Sequence, residues 1–268
     1  MKWAMETIGA SATAPGTGAA MTAVAGDSLR VRDASAASLL SVSTNFQAVG
    51  GGTLRITSPL LHDNTVGINQ RTIAAQKGYW AVPARQSLTP QDTLTLNAVG
   101  SAVAGDVETA ALTVMYEDLA GIDGALIMTS ELRSRAVELF CPRVNVTTTG
   151  AGWTGTVSLT ALDDQYKANE EYAWLGVCSD AIYANAHMLG MVSPDWGNLR
   201  IACPLDVGPV DVMTQYYCWL SDQTGKPTIP IFNASQKSNI NVSVLGNENV
   251  SAFQGVLVLA RLVPRGRR

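Results

Sequence analysis

Gly26-Asp27-Ser28-Leu29 is the string in this sequence that most invites a catalytic reading, with Ser28 as its nucleophile. A serine attacks only when a histidine takes its proton, an acid holds that histidine, and preorganised donors receive the oxyanion. The chain has two histidines, His62 and His187, and neither has an aspartate three residues before it. Asp27-Ser28 is therefore read as a turn entering the strand-like Leu29-Arg30-Val31. The histidines do not form a spaced metal set. Asp163-Asp164 and Glu170-Glu171 lack the glycine and closing glutamate of a calcium loop. Cys141, Cys178, Cys203 and Cys218 contain no C-x-x-C pair, so they read as reduced thiols rather than zinc ligands or a disulfide framework. Trp80, Trp153, Trp174, Trp196 and Trp219 offer faces on which sugars stack, but they are scattered singly and read as core anchors. The expectation is a protein with no catalytic residue, metal, cofactor or small-molecule substrate.

The string around Ser28 is similar to the nucleophile block of the GDSL esterases. That family takes its acid and base from a D-x-x-H block near the C-terminus, which this sequence lacks. No pattern of alternating strands and helices suggests the parallel sheet such an enzyme needs.

Only 15% of the residues are charged, and small neutral side chains dominate. Surfaces of that kind suit burial against other subunits, and equally a β-protein with Ser/Thr-rich loops. A net charge of −4 argues against a nucleic-acid surface spread over the whole molecule. The one basic concentration is Arg261, Arg265, Arg267 and Arg268, read either as a tail touching nucleic acid or lipid or as a solvated end. Leu262 to Gly266 also matches a protease-recognition sequence of the kind added to recombinant proteins. No stretch approaches the roughly 20 apolar residues of a membrane-spanning helix, and Met1 to Met21 has no continuous apolar run, so a soluble chain without a secretory signal is expected.

The elements are β in character. Leu94 and Leu96, Leu112 and Val114, and Val242 and Val244 recur at period two, which sets each pair on one face of a strand. Pro15-Gly16, Gly50-Gly51-Gly52, Asp63-Asn64, Pro194-Asp195 and Gly246-Asn247 punctuate such runs as turns. Gly52 to Leu60 aligns without a gap to Gly197 to Leu205, sharing Gly, Leu, Arg, Ile, Pro and Leu. Further resemblances link Thr17-Gly18 with Thr154-Gly155, Pro90 to Ala98 with Pro227 to Ala234, and Ala111 to Tyr116 with Gly255 to Ala260. The reading is all-β: two tandem, duplicated, jelly-roll-like β-sandwiches at 1–119 and 141–268. In the connector at 120–140, Leu132, Ala136, Val137 and Phe140 line one face of a short helix, or else belong to a strand leading into the second copy. Ala34 to Leu40 and Thr72 to Gln76 are the other two stretches with any helical pattern.

A duplicated sandwich low in charge resembles the double jelly-roll major capsid proteins of tailless icosahedral viruses. The resemblance rests on the recurrence of Gly52 to Leu60 in Gly197 to Leu205. It implies a coat protein that forms homotrimers of six similar lobes within a virion shell, beside other virion proteins. Arg55 and Arg200 then read as one structural contact repeated in both copies, or as exposed strand residues. The alternative function is a carbohydrate-binding or adhesive pair of sandwiches on an appendage.

Overall fold

The computed structural model describes residues 2–13, 22–23, 25–26, 30–46, 52–72, 77–99, 107–122, 125–159, 166–179, 183, 185–206, 213–247 and 253–263. Asp27 and Ser28 lie outside them, as do Arg265, Arg267 and Arg268. Nine strands build the first sandwich: β1 (Trp3–Thr13), β2 (Thr22–Ala23), β3 (Ala25–Gly26), β4 (Ala36–Asn45), β5 (Gly52–Thr57), β6 (Ile68–Thr72), β7 (Lys77–Leu88), β8 (Thr95–Val99) and β9 (Val107–Glu117). One sheet runs β3-β1-β9-β4-β7 and the other β2-β8-β5-β6.

After Glu117 the chain makes β10 (Leu126–Ile127), helix α1 (Thr129–Arg135), β11 (Ala136–Phe140) and β12 (Arg143–Val146). The stretch expected to be a helix or a strand is thus both in turn. Then come β13 (Gly152–Ser158), β14 (Glu171–Ser179), β15 (Ala186–Val192), β16 (Arg200–Pro204), helix α2 (Tyr216–Thr224), β17 (Ile229–Asn233), β18 (Asn241–Gly246) and β19 (Phe253–Leu262). They form a sheet in the order β10-β17-β14-β19-β11, with β12 also on β19, and a second in the order β13-β18-β15-β16. Every strand pairing among the described residues is antiparallel.

The two sandwiches thread the chain alike. With β3 and β10 set aside and β11 and β12 taken as one bent strand, eight main strands remain in each, and both show sheet orders 1-8-3-6 and 2-7-4-5. That is jelly-roll connectivity. The sequence match that suggested it falls out of register with it, however. Gly52 to Leu60 covers β5, the fourth main strand of its sandwich, whereas Gly197 to Leu205 covers β16, the fifth of the other. Pro90 to Ala98 leads into β8 and Pro227 to Ala234 into β17, which are again unlike positions. Ala111 to Tyr116 on β9 and Gly255 to Ala260 on β19 do occupy equivalent strands. The physical reason is degeneracy. Any half-buried strand puts Leu-x-Ile inward and a polar residue between, so such strings recur wherever a strand meets a proline turn.

Two further readings change. Ala34 to Leu40 enters strand β4 rather than a helix, and α2 is a helix whose sequence carries no helical period. Its Tyr216, Tyr217, Cys218, Leu220 and Ser221 are buried, so packing on β14, β7 and β17 sustains it where intrinsic propensity does not.

Between the sheets of the first sandwich lie Ile8, Val42, Leu54, Ile56, Leu96, Leu112, Val114 and Tyr116. In the second, Trp174 stacks on Trp196 at 6.4 Å between centroids and meets Tyr217 at 4.9 Å. Both indoles are satisfied, Trp174 Nε1 donating to the Gly176 carbonyl at 2.9 Å and Trp196 Nε1 to that of Ile231 at 2.7 Å. Among the tryptophans expected to anchor cores these two do so. Trp153 and Trp219 pack partly buried at its margins, and Trp80 is exposed. Replacing Trp174 with Ala opens a cavity and removes the stack; the expected cost is about 3–5 kcal/mol, read as a lower midpoint in guanidinium unfolding.

Candidate functional site: a seam between unlike sheets

Alternation along β4 sends Val42 and Phe46 into the first core and turns Ser41, Ser43 and Asn45 the other way. On β9 the same rule turns Thr109, Ala111, Thr113 and Met115 away from that core, and on β1 it turns Met5, Thr7 and Gly9. All of β4 beyond Ala36 is buried nonetheless. What covers this second face is the β13-β18-β15-β16 sheet of the other sandwich, whose Met188, Ala202 and Leu245 cluster with Ala111 and Trp153. The molecule is therefore four sheets deep, and the β1 and β15 sheets are the two inner layers.

Small residues permit this close approach. A Cβ on Gly9 would stand 2.6 Å from Leu245 Cδ2 and 3.3 Å from Trp153 Nε1, both of the other sandwich, while Gly190 leaves room for the Trp153 ring to lie over its own sheet. Several polar groups in the seam are paired across it. The amide of Ala202 donates to Thr7 Oγ1 at 3.1 Å, and Thr7 Oγ1 lies 3.1 Å from Thr113 Oγ1. Ser43 Oγ and His187 Nε2 share a 2.7 Å hydrogen bond. Asn247 accepts at Oδ1 from Thr109 and from Asn45 Nδ2, and donates to the carbonyls of Asn45 and Val107 at 3.2 and 2.9 Å. Tyr79 and Tyr216 meet hydroxyl to hydroxyl at 2.9 Å, and burial raises the pKa of both.

An ion pair crosses the same boundary in near-complete burial. Lys77 Nζ donates to Asp206 Oδ2 at 2.9 Å and to the Tyr183 carbonyl at 2.7 Å. Asp206 accepts in addition from Ser179 Oγ and the Tyr183 amide, both at 3.1 Å. Burial lowers the Lys77 pKa, and Asp206 opposes that shift. At the other end of the seam Lys226 Nζ reaches Ser38 Oγ at 2.9 Å and sits over the Trp3 ring.

The residues singled out from the sequence fall elsewhere or in different company. Arg200 lies over the Trp153 ring at 4.5 Å, at the seam, while Arg55 contacts Asn69 through Nε at 3.4 Å on the outer face of β5. Within one chain, then, the two arginines make different contacts. Arg261 is a strand residue of β19, paired with Glu138 at 2.8 Å and Glu170 at 3.2 Å, so it is not part of a basic tail. His62 is exposed in the β5–β6 loop, far from the buried His187 in the chain and in role. Cys203 and Cys218 are buried, and Cys141 is exposed; burial raises the thiols of the first two, Cys218 to about 11. Among the described residues no group of three His, Cys, Asp or Glu stands ready for a metal. No helix among them is long and apolar enough to cross a membrane.

The sheets at the two ends of the stack each leave part of an outer face open. The β2-β8-β5-β6 sheet turns Arg55, Thr57, Thr95 and Asn97 outward. The β14 sheet turns Gln254, Val256 and Val258 outward, and its edge strand β11 leaves Val137 and Leu139 at 53% and 66% exposure. On the β14 sheet the open part is the β19, β12 and β11 side, because β14 and β17 are buried along nearly their whole length, with α2 packed on both.

No protein-family model matches the sequence, and no curated protein matches it. Among solved structures the chain is similar to the PBSX exported protein XepA, at 10% identity over 96% of this chain and 86% of that one, with a TM-score of 0.27. It is similar to the major capsid protein P2 from bacteriophage PM2, at 6% identity over 99% and 100% with a TM-score of 0.25. A protein from Bacillus endospore appendages, described as disulfide-linked pili, matches at 15% identity over 44% of this chain and 90% of that one, with a TM-score of 0.24. Similarity at this level establishes no shared function.

Lys77→Met leaves Asp206 as a buried, uncompensated charge, so a loss of about 3–5 kcal/mol in denaturant unfolding is expected. The double variant Lys77→Met with Asp206→Leu should lose less than Lys77→Met alone.

Proposed function

We propose that the chain is the major capsid protein of a virus, assembled as homotrimers that tile a virion shell. The observation that carries this reading is the four-layer stack with unlike free ends. Inside one chain, a sheet of order 1-8-3-6 from the first sandwich is covered by a sheet of order 2-7-4-5 from the second. A second copy can offer its own 2-7-4-5 sheet to the open β19, β12 and β11 side of the first copy's β14 sheet. Such a contact joins unlike surfaces head to tail, and it closes into a ring when the rotation per chain divides a full turn. Three chains would then place six jelly rolls around one axis. Common descent of the two sandwiches accounts for their equal connectivity better than the misregistered sequence match does. We read Arg265, Arg267 and Arg268, which follow β19, as a short basic end able to touch nucleic acid or lipid inside a shell.

Light scattering coupled to size-exclusion chromatography, with negative-stain imaging of the purified chain, tests the proposal. The expected result is a trimer with pseudo-sixfold outline that builds larger closed or sheet-like arrays. A monomer at high micromolar concentration that binds on a glycan array would instead favour an adhesive protein and overturn the coat reading.

A further inference from the structure

His187 is wholly buried on β15, where it faces the first sandwich across the seam. Its Nε2 is engaged by Ser43 Oγ of β4, and its Nδ1 has no hydrogen-bond partner among the described residues. Lys77 of β7 is the charged group that acts on it, and Asp206, from the chain after β16, is paired with that lysine. Ser43 of β4, opposite Ala111 of β9 in the first sheet, is a neutral neighbour. The carboxylate of Asp206 is already committed to Lys77, Ser179 and the Tyr183 amide. A charged imidazole here would have a cation for a neighbour and no carboxylate of its own.

We propose that His187 makes the seam an acid-sensitive hinge: protonation of its ring opens the contact between the two sandwiches while each sandwich keeps its own core. The inference rests on the seam alone and holds whether or not the chain is a coat protein. Burial, reinforced by the charge of Lys77, lowers the pKa of His187 to about 3 in the closed form. Opened to water, the ring returns to its ordinary value of about 6.5. The closed seam therefore binds one proton fewer than the open one between those two values. Above about pH 6.5 this group contributes no pH dependence, and below it each unit of acidification favours the open form about tenfold, until the closed form itself takes up the proton near pH 3.

Hydrogen exchange of the full chain between pH 7 and pH 4, corrected for the intrinsic exchange rate, reads this directly. Amides of β4 and β15 should lose protection by about tenfold per pH unit below about 6, while those of β5 and β19, which lie in the outer sheets, keep theirs. His187→Gln, which retains a polar group for Ser43 but cannot titrate, should flatten that dependence by about one proton. Protection of β4 and β15 that does not change with pH, or a loss shared equally by β5 and β19, would overturn the proposal. So would an unchanged slope in His187→Gln. If that variant does not fold, the comparison of inner and outer strands in the parent chain decides alone.

Discussion

The inner β1 sheet has to be buried on both faces, and most of the molecule follows from that constraint. One face is apolar in the ordinary way and meets the β2-β8-β5-β6 sheet. The other joins the second core at one end through Met5, Leu40 and Met115, and is otherwise made of Thr7, Gly9, Ser41, Ser43, Thr109, Ala111 and Thr113, side chains too small to build a thick core. Such a face packs only against a second sheet that comes close, and Gly9, against Leu245 and Trp153, marks a point of tight approach. Close approach strips water from hydroxyls and amides, so each needs a partner across the boundary. Thr7, Ser43, Asn45 and Asn247 have them.

This arrangement also explains the composition. A chain poor in charge and rich in Ser, Thr, Ala and Gly need not hide those residues against neighbouring subunits, because its own second sandwich covers much of that surface. What stays open to solvent is the outer side of β5 and β8, with Arg55, Thr95 and Asn97, and that of β19, with Val256, Val258 and the exposed edge of β11 beside it. An exposed edge strand carrying Val137 and Leu139 is a liability for a protein that stays alone. In a protein that repeats its own internal contact between chains it is a docking edge.

The all-β class was legible because a period of two is a local signal, carried by pairs such as Leu112 and Val114. Tandem sandwiches were legible for a less secure reason. The Gly52 to Leu60 match pointed to the right architecture while aligning strands that are not equivalent, since a strand's pattern records which way its side chains point and not which strand it is. Helix α2 was illegible: Tyr216, Tyr217 and Trp219 are held there by β7 and β14, far away in sequence. The seam had a faint signal in the alternation of Ser41, Ser43 and Asn45 with Val42 and Phe46. Ordinarily that pattern means a solvated outer face, and only tertiary structure shows it covered. His187, Lys77 and Asp206 gave no sequence signal, because each gains its role from a residue more than a hundred positions away.

If the seam is a core in its own right, the two sandwiches should not unfold separately. Differential scanning calorimetry of the full chain at neutral pH measures this most directly. A single transition whose calorimetric and van't Hoff enthalpies agree is the predicted result. Two transitions, each with roughly half the enthalpy and each assignable to one sandwich, would contradict the account.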